Sequence, residues 1–523
     1  MDGARSTDEL GHLLGIVAAY ATDYLTRTAH DPVAIRATTA QLREWFGGEL
    51  PAAGADPAQL LHSFIAAAEP GISPSTSGRF FGFVTGGAYP VAVATEWLTT
   101  AWDQTPVLHT SSPTASVVEE TVAGWLVGLF GLPAATSVGI TSGCSTANLT
   151  GLAAARHQVL ADAGWDVGHQ GLFGAPTPRV LTSRGCHVTV SRALRLLGLG
   201  GQIHLVDTDD QGRMRLDHLA DLLAATTGPL IVCAQLGNVD TGAVDALAEI
   251  CAMTHAHGGW VHVDAAFGMW AAASSRLRAE LPALAGLARA DSWATDAHKW
   301  LNVPYDCGVV LCAHPEAHQA AMRARADYLP AGPAGSRDPV DYTPEMSRRA
   351  RALVLWTTLR HLGADGVAEL IERSCLLARR MAGRLATVDG VTVANEVSLN
   401  QVLVRFTTRP GAATGGTGIV TDPAADPAAE AADDAHTEAV VDAFQRGGVG
   451  WASPTRWQGR TMLRLSVCNW QTDTAAVDAA VSALVDAHLR LRSRHQPDAA
   501  RTLARPPSQP GSPDQDLVTE GTA

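Results

Sequence analysis

The sequence predicts an α/β fold with a mainly parallel sheet, followed by a smaller α+β unit. Three observations carry this expectation. Between residues 137 and about 312, short runs rich in Val, Ile and Leu alternate with helical segments, as strands covered on both faces by helices require. A long helical stretch over about 347–385 follows. Two further apolar runs, 402–406 and 462–467, then suggest a second, smaller sheet.

Taken in order, residues 8 to about 70 read as helices, because Leu10, Leu13, Leu14, Val17, Tyr20, Ala21 and Tyr24 recur at helical spacing. The texture turns aromatic and glycine-rich at 79–84. A helix is expected to start near Ser116, which forms a capping box with Glu119, and Val118, Val122, Trp125, Leu126 and Leu129 give its apolar stripe. The strand candidates of the first sheet are 138–141, 180–182, 202–206, 230–234, 260–264 and 308–311. Residues 408–435, rich in Gly, Ala, Pro and Asp, and the proline-containing tail 494–523 are expected to be disordered, since neither can bury enough apolar surface to offset the entropy of ordering.

Composition excludes some classes. The chain has 523 residues, enough for more than one folded unit. Lys plus Arg number 38 against 52 Asp plus Glu, a net charge of −14, so no basic surface for a nucleic acid exists at chain level. The eight cysteines show no C-x-x-C spacing, which argues against a disulfide framework and a zinc site. No uncharged apolar run is long enough for a membrane span, and the polar N-terminus does not resemble a signal peptide. A cytoplasmic, metal-free protein is the expectation.

Several short motifs carry chemistry. In Asp296-Ala297-His298-Lys299-Trp300 a lysine stands beside a histidine in an apparent interior. A buried lysine loses its charge readily, and its neutral amine condenses with an aldehyde. His298 offers a donor to a nearby phosphate. Asp264 ends the run Trp260-Val261-His262-Val263-Asp264, and ligands of open α/β sheets gather at carboxyl ends of strands. A carboxylate there can keep a pyridine nitrogen protonated, so that the ring accepts electrons when a bond to Cα breaks. Ala266 is small enough for a ring to lie against it. Ser142-Gly143-Cys144-Ser145-Thr146 follows a strand and opens a helix, presenting N–H groups and hydroxyls to an anion. Alone, each has a plain structural reading: a surface lysine, a helix cap, an ordinary Ser/Gly loop. His187 and the loop Gly237-Asn238-Val239-Asp240-Thr241-Gly242 are weaker still.

In this order the motifs are informative together. Over residues from about 75 to 485 the chain resembles the group II pyridoxal-phosphate (PLP)-dependent amino-acid decarboxylases, which include the aromatic-L-amino-acid and glutamate decarboxylases, and most of all bacterial members with a G-N-V-x-T-G-A loop. The resemblance implies the fold-type-I PLP-dependent transferase fold: a helical N-terminal segment (1–90), a large domain with a mainly parallel seven-stranded sheet (91–365) and a small α+β C-terminal domain (366–493).

Roles follow residue by residue. Lys299 matches the Schiff-base lysine and Asp264 the partner of the pyridine nitrogen. His187 matches the residue stacked on the ring and touching the substrate carboxylate. Ser142, Gly143, Cys144, Ser145 and His298 match the phosphate surround, and Asn238 and Thr241 match residues near the ring and phosphate edge. Tyr328, 29 residues after the lysine, matches the mobile-loop tyrosine that protonates Cα. Ser347-Arg348-Arg349 resembles a helix-start motif. Arg464 matches an arginine that binds substrate carboxylates in some relatives.

The pattern departs at Cys144, where Gly is common, at Thr146, where Glu is common, and at Asn238, where many relatives have Thr. The implied activity is decarboxylation of an L-amino acid by a homodimer. An aromatic substrate is expected, with Phe81, Phe83, Trp97 and Trp102 as candidate pocket walls, and acidic or diamino acids are the alternatives. An aminotransferase using the same Lys and Asp, and a catalytically silent binding subunit, are the rival readings.

Overall fold

The computed structural model describes residues 7–324, 326, 333, 335–408 and 426–494. Seven strands form the main sheet: β1 (Ser137–Thr141), β2 (Arg179–Ser183), β3 (Ile203–Val206), β4 (Leu230–Gln235), β5 (Trp260–Asp264), β6 (Ser292–Asp296) and β7 (Gly308–Cys312). They lie in the order β1-β7-β6-β5-β4-β2-β3, and β7 is antiparallel to both its neighbours while the other pairs are parallel. Strands β4 to β7 are buried along their whole length, which is why they read as unbroken apolar runs.

The exception is β6. Its Ser292, Thr295 and Asp296 are polar yet buried, so the stretch before Lys299 read as a connection between strands and is itself a strand.

The smaller sheet contains β8 (Val391–Val393), β9 (Gln401–Phe406), β10 (Ser453–Trp457) and β11 (Arg460–Ser466), all antiparallel, in the order β10-β11-β9-β8. The helices Pro427–Gly447 and Thr474–Arg494 bury Val440, Val441, Phe444, Val477, Val481 and Leu484 with it. The first of these helices corrects one expectation. Residues 427–435 are helical, because the Asp426 side chain accepts the Ala428 N–H, Pro427 stands at the first helical position and the turns that follow are alanine-rich. The rest of that segment, 409–425, and the tail from residue 495 lie outside the described residues.

The helix Ala352–Leu385 belongs to both cores. Leu355, Val367, Leu370 and Ile371 pack with the large sheet, and Ala378, Met381 and Leu385 pack with the small one. It kinks at Gly363 (φ 65°, ψ 176°). The segment before the large sheet is stitched to the small domain: Phe81 is buried in that core, and its backbone pairs with Trp451 and Ser466. All eight cysteines are unpaired.

The helix expected from Ser116 begins earlier, as Pro113–Phe130. Ser116 does not cap it but donates to the Arg337 carbonyl (2.6 Å). Glu119 is wholly buried and accepts from Arg348 (2.8 Å) and Arg337 (3.0 Å). The Ser-Arg-Arg motif therefore precedes its helix and clamps a buried carboxylate. Removing one partner of a buried ion pair strands the other. Glu119→Ala will lower unfolding free energy by about 3–5 kcal/mol, read from the urea midpoint; a loss below about 1 kcal/mol, as for an exposed pair, would show that this pair carries no such burden.

Candidate active site

The carboxyl ends of the parallel strands meet at one cavity of about 260 Å³, where open α/β sheets hold ligands. Gln235 ends β4, Asp264 ends β5, Lys299 follows the end of β6 by three residues, and His187 follows the end of β2 by four. All four line the cavity, as do Ala266 and, from the small domain, Arg464. Phe83, Val84, Val239, Phe267 and Tyr305 supply apolar and aromatic wall. Gly86 makes the approach of the N-terminal segment possible: a Cβ there would stand 2.1 Å from the Lys299 carbonyl oxygen.

Lys299 is not alone in this interior. Asp296 Oδ2 lies 3.1 Å from its Nζ, and Asp296 Oδ1 accepts the Cys144 N–H at 2.6 Å. Burial works against the lysine's charge, but the carboxylates of Asp296 first and then Asp264 outweigh it, and the amine is held above the ordinary lysine pKa. The expectation of a buried lysine that readily loses its charge is thus corrected: the side chain keeps 24% of its surface exposed and has a carboxylate beside it. Sequence reading missed Asp296. The signal was present as a carboxylate three residues before the lysine, the spacing of neighbours on one turn.

Cys144 also meets Asp264. Its thiol, pushed well up by burial and then by Asp264, stays protonated and donates to Asp264 Oδ1 (3.5 Å). The Ala266 N–H donates to the same oxygen (3.2 Å). His298 Nδ1 accepts the Cys307 N–H (3.0 Å), so the neutral ring, its pKa lowered chiefly by burial, carries its proton on Nε2, beside Asp296 (3.6 Å). His187 caps the helix Val188–Leu196, and burial foremost lowers its pKa.

Other expected site residues are placed as follows. Ser142 and Gly143 join β1 to the helix Cys144–Asp162, whose first turn holds Ser145 and Thr146; Ser142 Oγ and Thr146 Oγ1 are 3.1 Å apart. Ser142, Gly143, Cys144, Ser145 and His298 stand outside the cavity lining, and so do Asn238 and Thr241. Asn238 Oδ1 accepts the N–H groups of Asp240 and Thr241, and the Thr241 hydroxyl donates to the Gln211 carbonyl (2.6 Å), so both side chains are consumed in building their loop, which turns Gly237 and Val239 toward the cavity instead. Of the four aromatic candidates only Phe83 lines it. Phe81 is in the small-domain core, Trp97 faces a separate groove and Trp102 is half exposed. Tyr328 lies outside the described residues. Thr85, Gln235 and Tyr305, which no motif singled out, complete the wall.

The donor set suits a phosphorylated pyridine aldehyde: an amine, a carboxylate across from it, a helix N-terminus with hydroxyls, and an Nε2–H imidazole. Comparison with known proteins agrees. Residues 40–408 match the model of the pyridoxal-dependent decarboxylase conserved domain. An aromatic-L-amino-acid decarboxylase of Bacillus atrophaeus is 28% identical over 73% of this chain and 79% of its own length. An L-2,4-diaminobutyrate decarboxylase of Rhizobium meliloti (strain 1021) is 33% identical over 62% of this chain and 64% of its own length. A crystal structure of Oryza sativa TDC with PLP and tryptamine has a TM-score of 0.84 at 22% identity, covering 94% of this chain and 100% of that one, a likeness of fold. With its cavity, the lysine that lines it and the matched domain, the chain belongs to the pyridoxal-dependent decarboxylases, PLP-requiring carboxy-lyases of amino acids.

Proposed function

We propose that the amino acid decarboxylated here is aromatic, with Lys299 as the cofactor tether and Asp264 as the partner of the ring nitrogen. The observation that carries the reading is the composition of one cavity: Lys299 and Asp264 share it with Phe83, Val84, Val239 and Phe267. Apolar walls bind an aromatic side chain through burial, at about 25 cal/mol per Å². The Bacillus relative, named for aromatic L-amino acids, supports this choice.

PLP, when bound, supplies the electron sink for the departing carboxylate. The chain's residues position and protonate. Lys299 Nζ would tether the cofactor aldehyde. Asp264, its Oδ1 already accepting from Cys144 and Ala266, keeps the proton of a pyridine nitrogen. His187, which lines the same cavity, would lie against the cofactor ring and donate to the substrate carboxylate. Ser142, Ser145 and His298 surround a phosphate at the start of the helix Cys144–Asp162. Arg464, nearly buried on β11 and donating to the Val239 carbonyl (3.1 Å), holds a carboxylate. Tyr328, matched by motif, returns a proton to Cα.

An acidic substrate is the second reading, and Arg464 is the reason for it: its Nε has no partner among the described residues, and a guanidinium in a closed site suits a distal carboxylate. Release of carbon dioxide from a panel of aromatic, acidic and diamino L-amino acids separates the two. Highest kcat/KM on an aromatic amino acid is expected; preference for glutamate or aspartate would transfer the assignment to the second reading.

The N-terminal helix Thr7–Arg27 leaves Leu10 (58%) and Leu14 (51%) exposed, and Leu98 and Trp102 are half exposed on the helix Pro90–Trp102. These support a homodimer covering that face; sedimentation at working concentration will give twice the chain mass, and a monomer alone would remove this assignment.

Lys299→Ala will purify without the visible absorbance of protein-bound PLP, and borohydride will not fix the cofactor to the chain; retention of a reducible chromophore would move the tether elsewhere. Tyr328→Phe will lower amine yield per carbon dioxide released, and an unchanged ratio would take the proton-donor role from this residue.

A further inference from the structure

Behind the cavity wall lies a line of buried hydrogen bonds that none of the roles above uses. Trp260, His262, Ser292 and Asn148 are at most 3% exposed. Trp260 Nε1–H donates to Ser292 Oγ (2.9 Å), Ser292 Oγ is 2.8 Å from His262 Nδ1, and His262 Nε2 is 2.8 Å from Asn148 Oδ1. The Asn148 amide then branches: its Nδ2 donates to Cys144 Sγ (3.6 Å) and to Thr189 Oγ1 (3.3 Å). Cys144 leads to Asp264 Oδ1 (3.5 Å), and Thr189 Oγ1 is 2.8 Å from His187 Nδ1.

The polarity of the line can be worked out from its members. Burial lowers the His262 pKa to about 3, so its ring is neutral and carries one proton. An amide oxygen only accepts, which puts that proton on Nε2 and leaves Nδ1 to accept the Ser292 hydroxyl. Both Asn148 Nδ2 hydrogens are then spent on the two branches. Thr189 Oγ1, accepting from Asn148, has its own hydrogen free for His187 Nδ1, which also accepts the Thr189 N–H (3.4 Å). The His187 proton therefore sits on Nε2. Reversing the amide would set two donors, Trp260 and His262, on the Ser292 oxygen and would turn the thiol and the Thr189 hydroxyl away from Asp264 and His187. Space reinforces the arrangement: Gly151 lets the helix bearing Asn148 pass His262, where a Cβ would come within 2.8 Å of Cε1.

We propose that Asn148 is a positioning residue for the decarboxylation: its buried amide, oriented by His262, feeds one donor chain to Asp264 and another to His187, fixing the carboxylate of the first and the tautomer of the second. The proposal rests on the reading that Asp264 and His187 flank the cofactor.

Asn148→Asp tests it in the holoenzyme, since a carboxylate of the same shape accepts and does not donate. In histidine-labelled enzyme, with the His187 signal assigned by its loss in His187→Gln, the imidazole ¹⁵N shifts will move from the Nε2–H to the Nδ1–H pattern. The Kd for PLP will rise roughly tenfold, the scale of a lost hydrogen bond to a charged group. Wild-type shifts together with wild-type PLP affinity would overturn the proposal. If Asn148→Asp does not fold, Thr189→Val removes the hydroxyl and leaves only the backbone N–H on His187 Nδ1, so the Nδ1 shift will change without a change of tautomer, while Thr189→Ser will keep it; identical spectra for Val and Ser would equally overturn the proposal. Asp264→Asn and His187→Gln separate the two levels. Should neither weaken PLP binding, the reading of the site fails and this relay with it. Should both weaken it while Asn148→Asp and Thr189→Val match wild type, only the relay fails.

Discussion

The carboxylate of Asp296 ties together three segments that are far apart in the chain. One oxygen receives the N–H that opens the helix Cys144–Asp162, the other holds the Lys299 ammonium, and its own backbone is the end of β6. Two opposite charges withdrawn from water repay desolvation only when their geometry is good, and here a backbone donor shares the load. Without this carboxylate the partly exposed lysine would keep only Asp264 as a counter-charge, and the helix start would lose its anchor. The arrangement of the amine, the turn that opens the helix Cys144–Asp162 and the end of β6 therefore depends on this one carboxylate.

Around that anchor the fold gathers groups by a simple rule. Parallel strands end on the same edge of a sheet, so Gln235, Asp264 and Asp296 come together although about 30 residues separate each from the next. The small domain then brings Arg464 from β11 to the same cavity. Apolar burial holds these elements rigid, and the few polar groups facing the cavity gain directional strength from the low dielectric around them.

Much of this could be read from sequence, and the limits have physical causes. Asp264 was legible because it closes an apolar strand, and Lys299 because it stands beside His298 between two apolar runs, where a charged residue has few bland explanations. The paired helical stripes and most strands were legible by period. β6 was not, because Ser292, Thr295 and Asp296 satisfy their polar groups through contacts remote in sequence. Asn238 and Thr241 were drawn away from the cavity by turn hydrogen bonds reaching only a few residues, a local competition that motif matching does not weigh. The connection of Asn148 to His262 spans 114 positions, and no window on a sequence shows it. Residues 427–435 looked structureless by composition, yet an aspartate cap and alanine propensity were sufficient.

The helix Ala352–Leu385 is the feature with the widest reach. A chain that crosses between two cores through a loose connection lets each melt on its own. Here one unbroken stretch of backbone hydrogen bonds beyond Gly363 is packed into both. Loss of order in the C-terminal sheet therefore unravels part of the wall supporting the main one, and the two units share a single fate in denaturation, as one cooperative block.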